Sequence, residues 1–218
     1  MLDVHFDYGR GPVLDGVDLQ VPIGSRVAVI GRSGAGKSTL MGLLRGALPL
    51  QRGHIRIAGR EVSADDPAAV RALSATVAQR TWMFTGTIAE NLRVARADAT
   101  DDELWEALEG ANIADEVARM PNGLQTHLGE GAMLVSGGQA QRISLARALL
   151  SGRRVLLLDE PTGQIDVDSE SRIIDAIAGL PDDRTVLMVT HRHSLLRIAD
   201  DVHELVDGRL LTRERARG

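Results

Sequence analysis

"GRSGAGKS", Gly31 to Ser38, follows the apolar run "RVAVI" (Arg26 to Ile30) and precedes Leu40, Leu43, Leu44 and Leu48 at helical spacing. The eight residues fit G-x-x-x-x-G-K-[ST], a loop whose glycines let backbone N–H groups face phosphate oxygens at a helix N-terminus. Lys37 brings a positive charge to the β and γ phosphates, and the Ser38 hydroxyl is of the kind that ligates magnesium. A glycine-rich turn with a surface lysine is the bland alternative, but it leaves the flanking buried strand and helix unexplained. The stretch predicts a strand, a phosphate loop and a helix, the opening unit of a mostly parallel α/β fold.

Two further runs extend that reading. "RVLLLDE" (Arg154 to Glu160) and "TVLMVTH" (Thr185 to His191) are nearly continuous apolar segments, as central parallel strands buried on both faces must be. Ligands of open α/β sheets bind outside the carboxyl ends of the strands, so three strand ends point at one site. Asp159 closes one run where a carboxylate supports a magnesium shell, and Glu160 follows as base or orienting group for an attacking water. His191 closes the other, in reach of a γ-phosphate. An isolated Asp-Glu pair is usually a solvated edge and an isolated His usually structural; the phosphate loop turns both toward catalysis.

"IRIAGREV" and "HELVDGRLL" alternate about Ala58-Gly59 and Asp207-Gly208 and read as hairpins. Thr87 with Glu90, and Thr100 with Glu103, fit the S/T-x-x-E capping box, and Ile143, Ala146 and Leu150 keep helical spacing. The region from about 87 to 148 is therefore mostly helical, inserted between the early and late strands. The expected layout is one domain over 1–218: residues 1–80 and 154–218 form the core and a β lobe, and 81–153 a helical lobe. "VSGGQAQR", from Val135, sets a second Ser-Gly-Gly loop before a helix, again the layout of an anion site.

Composition narrows the partners. With 218 residues, 44% apolar and 25% charged, the chain can bury a sizeable core. A net charge of −5 argues against nucleic acid as a partner, and the lack of cysteine excludes disulfides and thiolate metal sites. The start "MLDVHFDYG" is acidic and lacks an apolar core, so it reads as no signal peptide. Apolar runs fall far short of the roughly 20 residues that span a bilayer, so any membrane role is expected through a partner.

In this order, "GRSGAGKST", Gln79, "VSGGQ", "LLLDEP", Asp166 and His191 resemble the nucleotide-binding domain of an ATP-binding cassette (ABC) transporter over essentially the whole chain. The resemblance implies a P-loop NTPase, RecA-like core with an antiparallel β lobe and an inserted helical lobe, using ATP and Mg2+. It implies that Gly31, Arg32, Ser33, Gly34, Ala35, Gly36, Lys37, Ser38 and Thr39 hold the phosphates, and that Tyr8 stacks on adenine. A packed hairpin residue is the other reading of Tyr8. The resemblance further implies that Gln79, with Ser38 and Asp159, touches magnesium, while Glu160, Gln79 and His191 serve catalysis. Ser136, Gly137, Gly138 and Gln139 resemble the signature loop, which in the family contacts ATP held by an opposite subunit, and Asp166 resembles the end of the interface D-loop. Val135 replaces the usual leucine, and "GQID" stands where "SALD" is common, which leaves the contacts of Gly163 and Gln164 open.

"MFTGTIAENLRVA" and "THLGEGAMLVSGGQ" resemble the exporter branch, with Glu130 near the loop that meets the membrane domain. Trp82, Met83 and Phe84 fit either a partner-facing groove or the core of the helical lobe. The implied partners are a transmembrane exporter domain, fused or separate, and a second nucleotide-binding domain, identical or related. The implied place is the cytoplasmic face of a bacterial inner membrane. A soluble ABC ATPase acting on ribosomes or DNA is the alternative; the single cassette without heptads or cysteines speaks against it. A P-loop small-molecule kinase leaves "VSGGQ" unexplained.

Overall fold

The computed structural model describes residues 1–62, 67–129, 135–163 and 165–213. In chain order the elements are β1 (Leu2–Asp7), β2 (Pro12–Val17), β3 (Arg26–Ile30), α1 (Lys37–Leu44), β4 (Arg52–His54), β5 (Arg56–Ile57), β6 (Arg60–Glu61), α2 (Pro67–Leu73) and β7 (Ser74–Val77). Then come β8 (Gly86–Thr87), α3 (Ile88–Arg93), α4 (Asp101–Gly110), α5 (Ala114–Ala118), a 3-10 turn (Gly123–Gln125), β9 (His127–Leu128) and α6 (Gly137–Leu150). The last are β10 (Val155–Asp159), α7 (Val167–Ala178), β11 (Thr185–Val189), α8 (His193–Leu196), β12 (Asp201–Val206) and β13 (Arg209–Arg213). Two compact units divide the chain: Met1–Thr76 with Arg154–Glu160 and Pro181–Gly218, and Val77–Arg153 with Pro161–Leu180.

The first unit is built on a sheet of order β13-β12-β3-β11-β10-β7. β11 runs parallel to β3 on one side and to β10 on the other, a central strand, and all five of its residues are buried, as its unbroken apolar sequence requires when both sheet faces are covered. β12 lies parallel to β3 and returns antiparallel as β13 through Asp207-Gly208, at φ +46° and +78°. Ala58-Gly59 turns β5 into β6 in the same way, so both predicted hairpins form, with the positive φ angles a tight two-residue turn demands.

The antiparallel sheet β2-β1-β4 adds Val4, Phe6, Leu14 and Val17 to a core shared with Val27 and Val29 of β3 and Leu40 and Leu43 of α1. α1 is shorter than the leucine spacing predicts. Gly46 at φ +67° ends it, and the Ala47 and Leu48 N–H groups both donate to the Gly42 carbonyl. Leu48 therefore folds back over Gly42, where a Cβ would lie 2.7 Å from its Cδ1.

The second unit is mainly helical. Thr87 and Thr100 cap α3 and α4, each in a complete capping box with Glu90 and Glu103. Ile88, Leu92, Leu104, Leu108 and Ile143 are fully buried in this unit. α6 is buried on most sides, Gln141 and Arg142 included, so its polar side chains must find partners within the protein.

Candidate nucleotide-binding site

β3 delivers the chain into the phosphate loop at Gly31. The Ala35 N–H donates to the Arg32 carbonyl at 3.1 Å, and Lys37 Nζ donates to the Gly31 and Arg32 carbonyls at 2.7 and 3.0 Å. The ammonium is thus folded across the mouth of the loop, while Arg32, Ser33, Gly34 and Ser38 are exposed. Gly36 caps α1 at φ +103°, and a Cβ there would lie 2.9 Å from the Val13 carbonyl oxygen, so only glycine fits. Beside the loop opens a cleft of about 530 Å³ lined by Pro12, Val13, Arg32–Ala35 and Glu204–Gly208. Tyr8 follows β1, sets its ring edge-on to Phe6 at 4.9 Å and shares a 3.2 Å hydrogen bond with Thr39 Oγ1. It is a packed hairpin residue and yet 57% exposed, so its ring face is open to a planar ligand.

The carboxylates close the other side of this unit's site. β10 ends in Asp159, half-buried; burial pushes its carboxyl up, with Glu160 adding to the rise while Arg45 and Lys37 oppose it. Glu160 follows at φ +48°, an unusual backbone for a residue with a Cβ and one found where function demands it. Its N–H donates to the Val189 carbonyl at 2.8 Å, tying it to the end of β11. His191 Nδ1 lies 2.8 Å from Glu160 Oε2, and the His191 N–H reaches the same oxygen at 3.4 Å. A hydroxyl at Ser38 and a carboxylate at Asp159 are oxygen donors of the kind magnesium takes. A carboxylate whose charge is opposed by burial is also one that a cation stabilises, so these residues fit the metal.

In the second unit, Gln79 is exposed directly after β7. Ser136 caps α6: its side chain accepts the Gln139 N–H at 3.1 Å, and Gln139 Oε1 accepts the Ser136 N–H at 2.9 Å. This third capping box carries an S-x-x-Q signal in the sequence, so the same four residues that resemble an anion loop also encode a helix cap. Gly138 packs against α7, where a Cβ would meet Ser169 Oγ at 2.2 Å. Asp166 caps α7, accepting the Ser169 N–H and Oγ–H, each at 2.8 Å. Met83 is buried, whereas Trp82 and Phe84 are 74% and 47% exposed, so the apolar cluster divides between core and surface. Gln141 accepts from Thr81 and donates to the Ala78 carbonyl, and Arg147 donates to the Trp82 carbonyl. Glu130 and Gln164 lie outside the described residues.

A mostly parallel sheet with a phosphate loop after one strand and a carboxylate pair at the end of another defines a P-loop NTPase. A family model described as ABC transporter matches residues 14–163. The mycobactin import ATP-binding/permease protein IrtB of Mycobacterium tuberculosis is 41% identical over 211 residues, 96% of this chain and 36% of its own length. The ATP-dependent lipid A-core flippase of Desulfotalea psychrophila is 36% identical over 209 residues, again 96% of this chain and 36% of its own. Among solved structures, a bacterial Atm1-family ABC exporter with ATP bound is similar with a TM-score of 0.87 and 36% identity, over 96% of this chain and 37% of that one. The chain belongs to the ABC transporter family and carries its ATPase domain. It spans little more than a third of the length of the two curated relatives named above, and among its described residues no helix is long and apolar enough to cross a membrane.

Proposed function

We propose that the chain binds and hydrolyses MgATP, pairs with a second cassette around two nucleotides, and drives an exporter-type transmembrane domain, fused or separate, from the cytoplasmic face. The observation that carries this reading is the pairing of Glu160 with His191 in the unit that holds the phosphate loop. Lys37 and the loop N–H groups bind phosphate, Tyr8 offers a face to the base, and Glu160 orients the attacking water and takes up its proton. His191 holds the Glu160 carboxylate and steadies the γ-phosphate. Ser38 and Asp159 would hold magnesium, which would supply charge neutralisation on the phosphates. Ser136 and the α6 N-terminus present N–H groups and a positive dipole end to the partner's nucleotide. Each relative named above is a transporter, which favours transport over a soluble ATPase. Exposed Trp82 and Phe84 fit contact with a membrane subunit.

The test is Glu160→Gln, which keeps the size of the side chain and removes the base. It is expected to bind ATP as the parent does and to lose steady-state hydrolysis by about two orders of magnitude or more. Normal turnover would remove Glu160 from the mechanism.

A further inference from the structure

Gln139 holds its amide in one orientation. Its oxygen accepts the Ser136 N–H at 2.9 Å, which leaves its nitrogen to find an acceptor elsewhere, and that acceptor is Glu116 Oε2 at 3.0 Å. Glu116 lies on α5, well before α6 in the chain. Its Oε1 accepts Arg142 Nη1 at 2.6 Å and Arg172 Nη1 at 3.1 Å, and its Oε2 also accepts Arg142 Nη2 at 3.2 Å. Arg142, 3% exposed at its side chain, donates in turn to the Asn112 and Gly138 carbonyls at 2.9 and 3.3 Å. One carboxylate thus joins α5, the first turn of α6, and α7. Burial works against its charge, but the Arg142 and Gln139 hydrogen bonds and the two guanidinium charges prevail and hold its carboxyl below the usual range.

We propose that Glu116 is a positioning residue for the Ser136–Gln139 loop: by accepting from Gln139 and Arg142 it fixes the Gln139 amide, and so the α6 cap, in the form that meets a second copy's nucleotide. A carboxylate is acceptor-only, and this is what sets the orientation. A glutamine at 116 offers one oxygen to four donor nitrogens on three residues and turns an NH2 toward groups that themselves donate. The proposal rests on the dimer reading above.

The experiment compares Glu116→Gln, Glu116→Asp, Leu108→Ala and Ser136→Arg. ATP-driven dimerisation is read by analytical ultracentrifugation in a Glu160→Gln background, and kcat and KM for ATP are read without that background. Leu108→Ala removes buried bulk from the same unit while leaving the Glu116 contacts, so it reports general loosening. Glu116→Gln is expected to keep monomer ATP affinity and KM within about twofold, while dimerisation and kcat fall roughly ten- to a hundredfold, the scale of a misplaced group. Glu116→Asp is expected to recover part of that loss. Parental dimerisation in Glu116→Gln, with Ser136→Arg defective, would overturn the positioning role, as would an equal defect in Leu108→Ala at matched temperature below unfolding. If Ser136→Arg itself dimerised normally, the dimer reading would fall instead.

Discussion

His191 and Glu160 meet at 2.8 Å, imidazole Nδ1 to carboxylate Oε2, although 31 residues separate them. Adjacent parallel strands, β11 and β10, bring their ends side by side. The contact leaves the Nε2 side of the ring for another partner. His191→Ala is expected to lower kcat by about 100-fold or more, the scale of a positioned catalytic group, with little change in ATP affinity. Nucleotide titration beside steady-state kinetics separates the two; an affinity loss as large as the rate loss would make His191 a binding residue only.

Gly36→Ala tests the phosphate loop. The φ of +103° and the Val13 carbonyl oxygen at 2.9 Å oppose any Cβ. The substitution is expected to cost about 1–3 kcal/mol in urea unfolding and to weaken ATP binding, because relief of the clash must move the α1 N-terminus.

Ser136 has two jobs that separate by substitution. Asp caps helices about as well as Ser, so Ser136→Asp is expected to leave urea stability nearly unchanged while its charge repels a partner's phosphate and abolishes ATP-driven dimers. Ser136→Ala is expected to cost about 1 kcal/mol through the lost cap. Dimers from the Asp variant would show that no phosphate approaches this loop.

Asp159 and the capping acids respond to pH with opposite signs. Burial raises the Asp159 carboxyl, so its contribution to stability is present in acid and is lost as pH rises through that raised value. Asp159→Asn is therefore expected to stabilise the nucleotide-free chain at neutral pH while losing magnesium-dependent hydrolysis. Lower stability at neutral pH would contradict this.

Glu90 and Glu103 are held below the usual range, chiefly by the Thr87 and Thr100 backbone N–H groups. The folded chain then binds fewer protons, and stability is lost as pH falls below about 4. Glu90→Gln with Glu103→Gln keeps both capping boxes and is expected to flatten this acid limb in unfolding midpoints measured between pH 5 and 2. An unchanged slope would rule these carboxylates out.

What the sequence disclosed was whatever local physics writes locally. Val27–Val29, Leu156–Leu158 and Val186–Val189 are apolar because both sheet faces are covered, and Asp207-Gly208 is a turn because its backbone needs positive φ. Thr87 and Thr100 announce helix starts three residues from their partners. Glu116 gave no such signal: its partners Gln139, Arg142 and Arg172 lie 23, 26 and 56 residues away, and no periodicity encodes a long-range ion pair. Leu48 misled for the opposite reason, since it keeps helical spacing with α1 but packs from beyond the helix end.

The central place of β11 also sets a timetable for synthesis. Arg26 of β3 pairs with Val186 of β11, about 160 residues later. At roughly 5–20 residues per second, the strand that feeds the phosphate loop waits on the order of 8–30 s for its neighbour to leave the ribosome. Throughout that interval Val27, Ala28 and Val29 are a bare apolar edge, a target for chaperones and for pairing with other nascent chains.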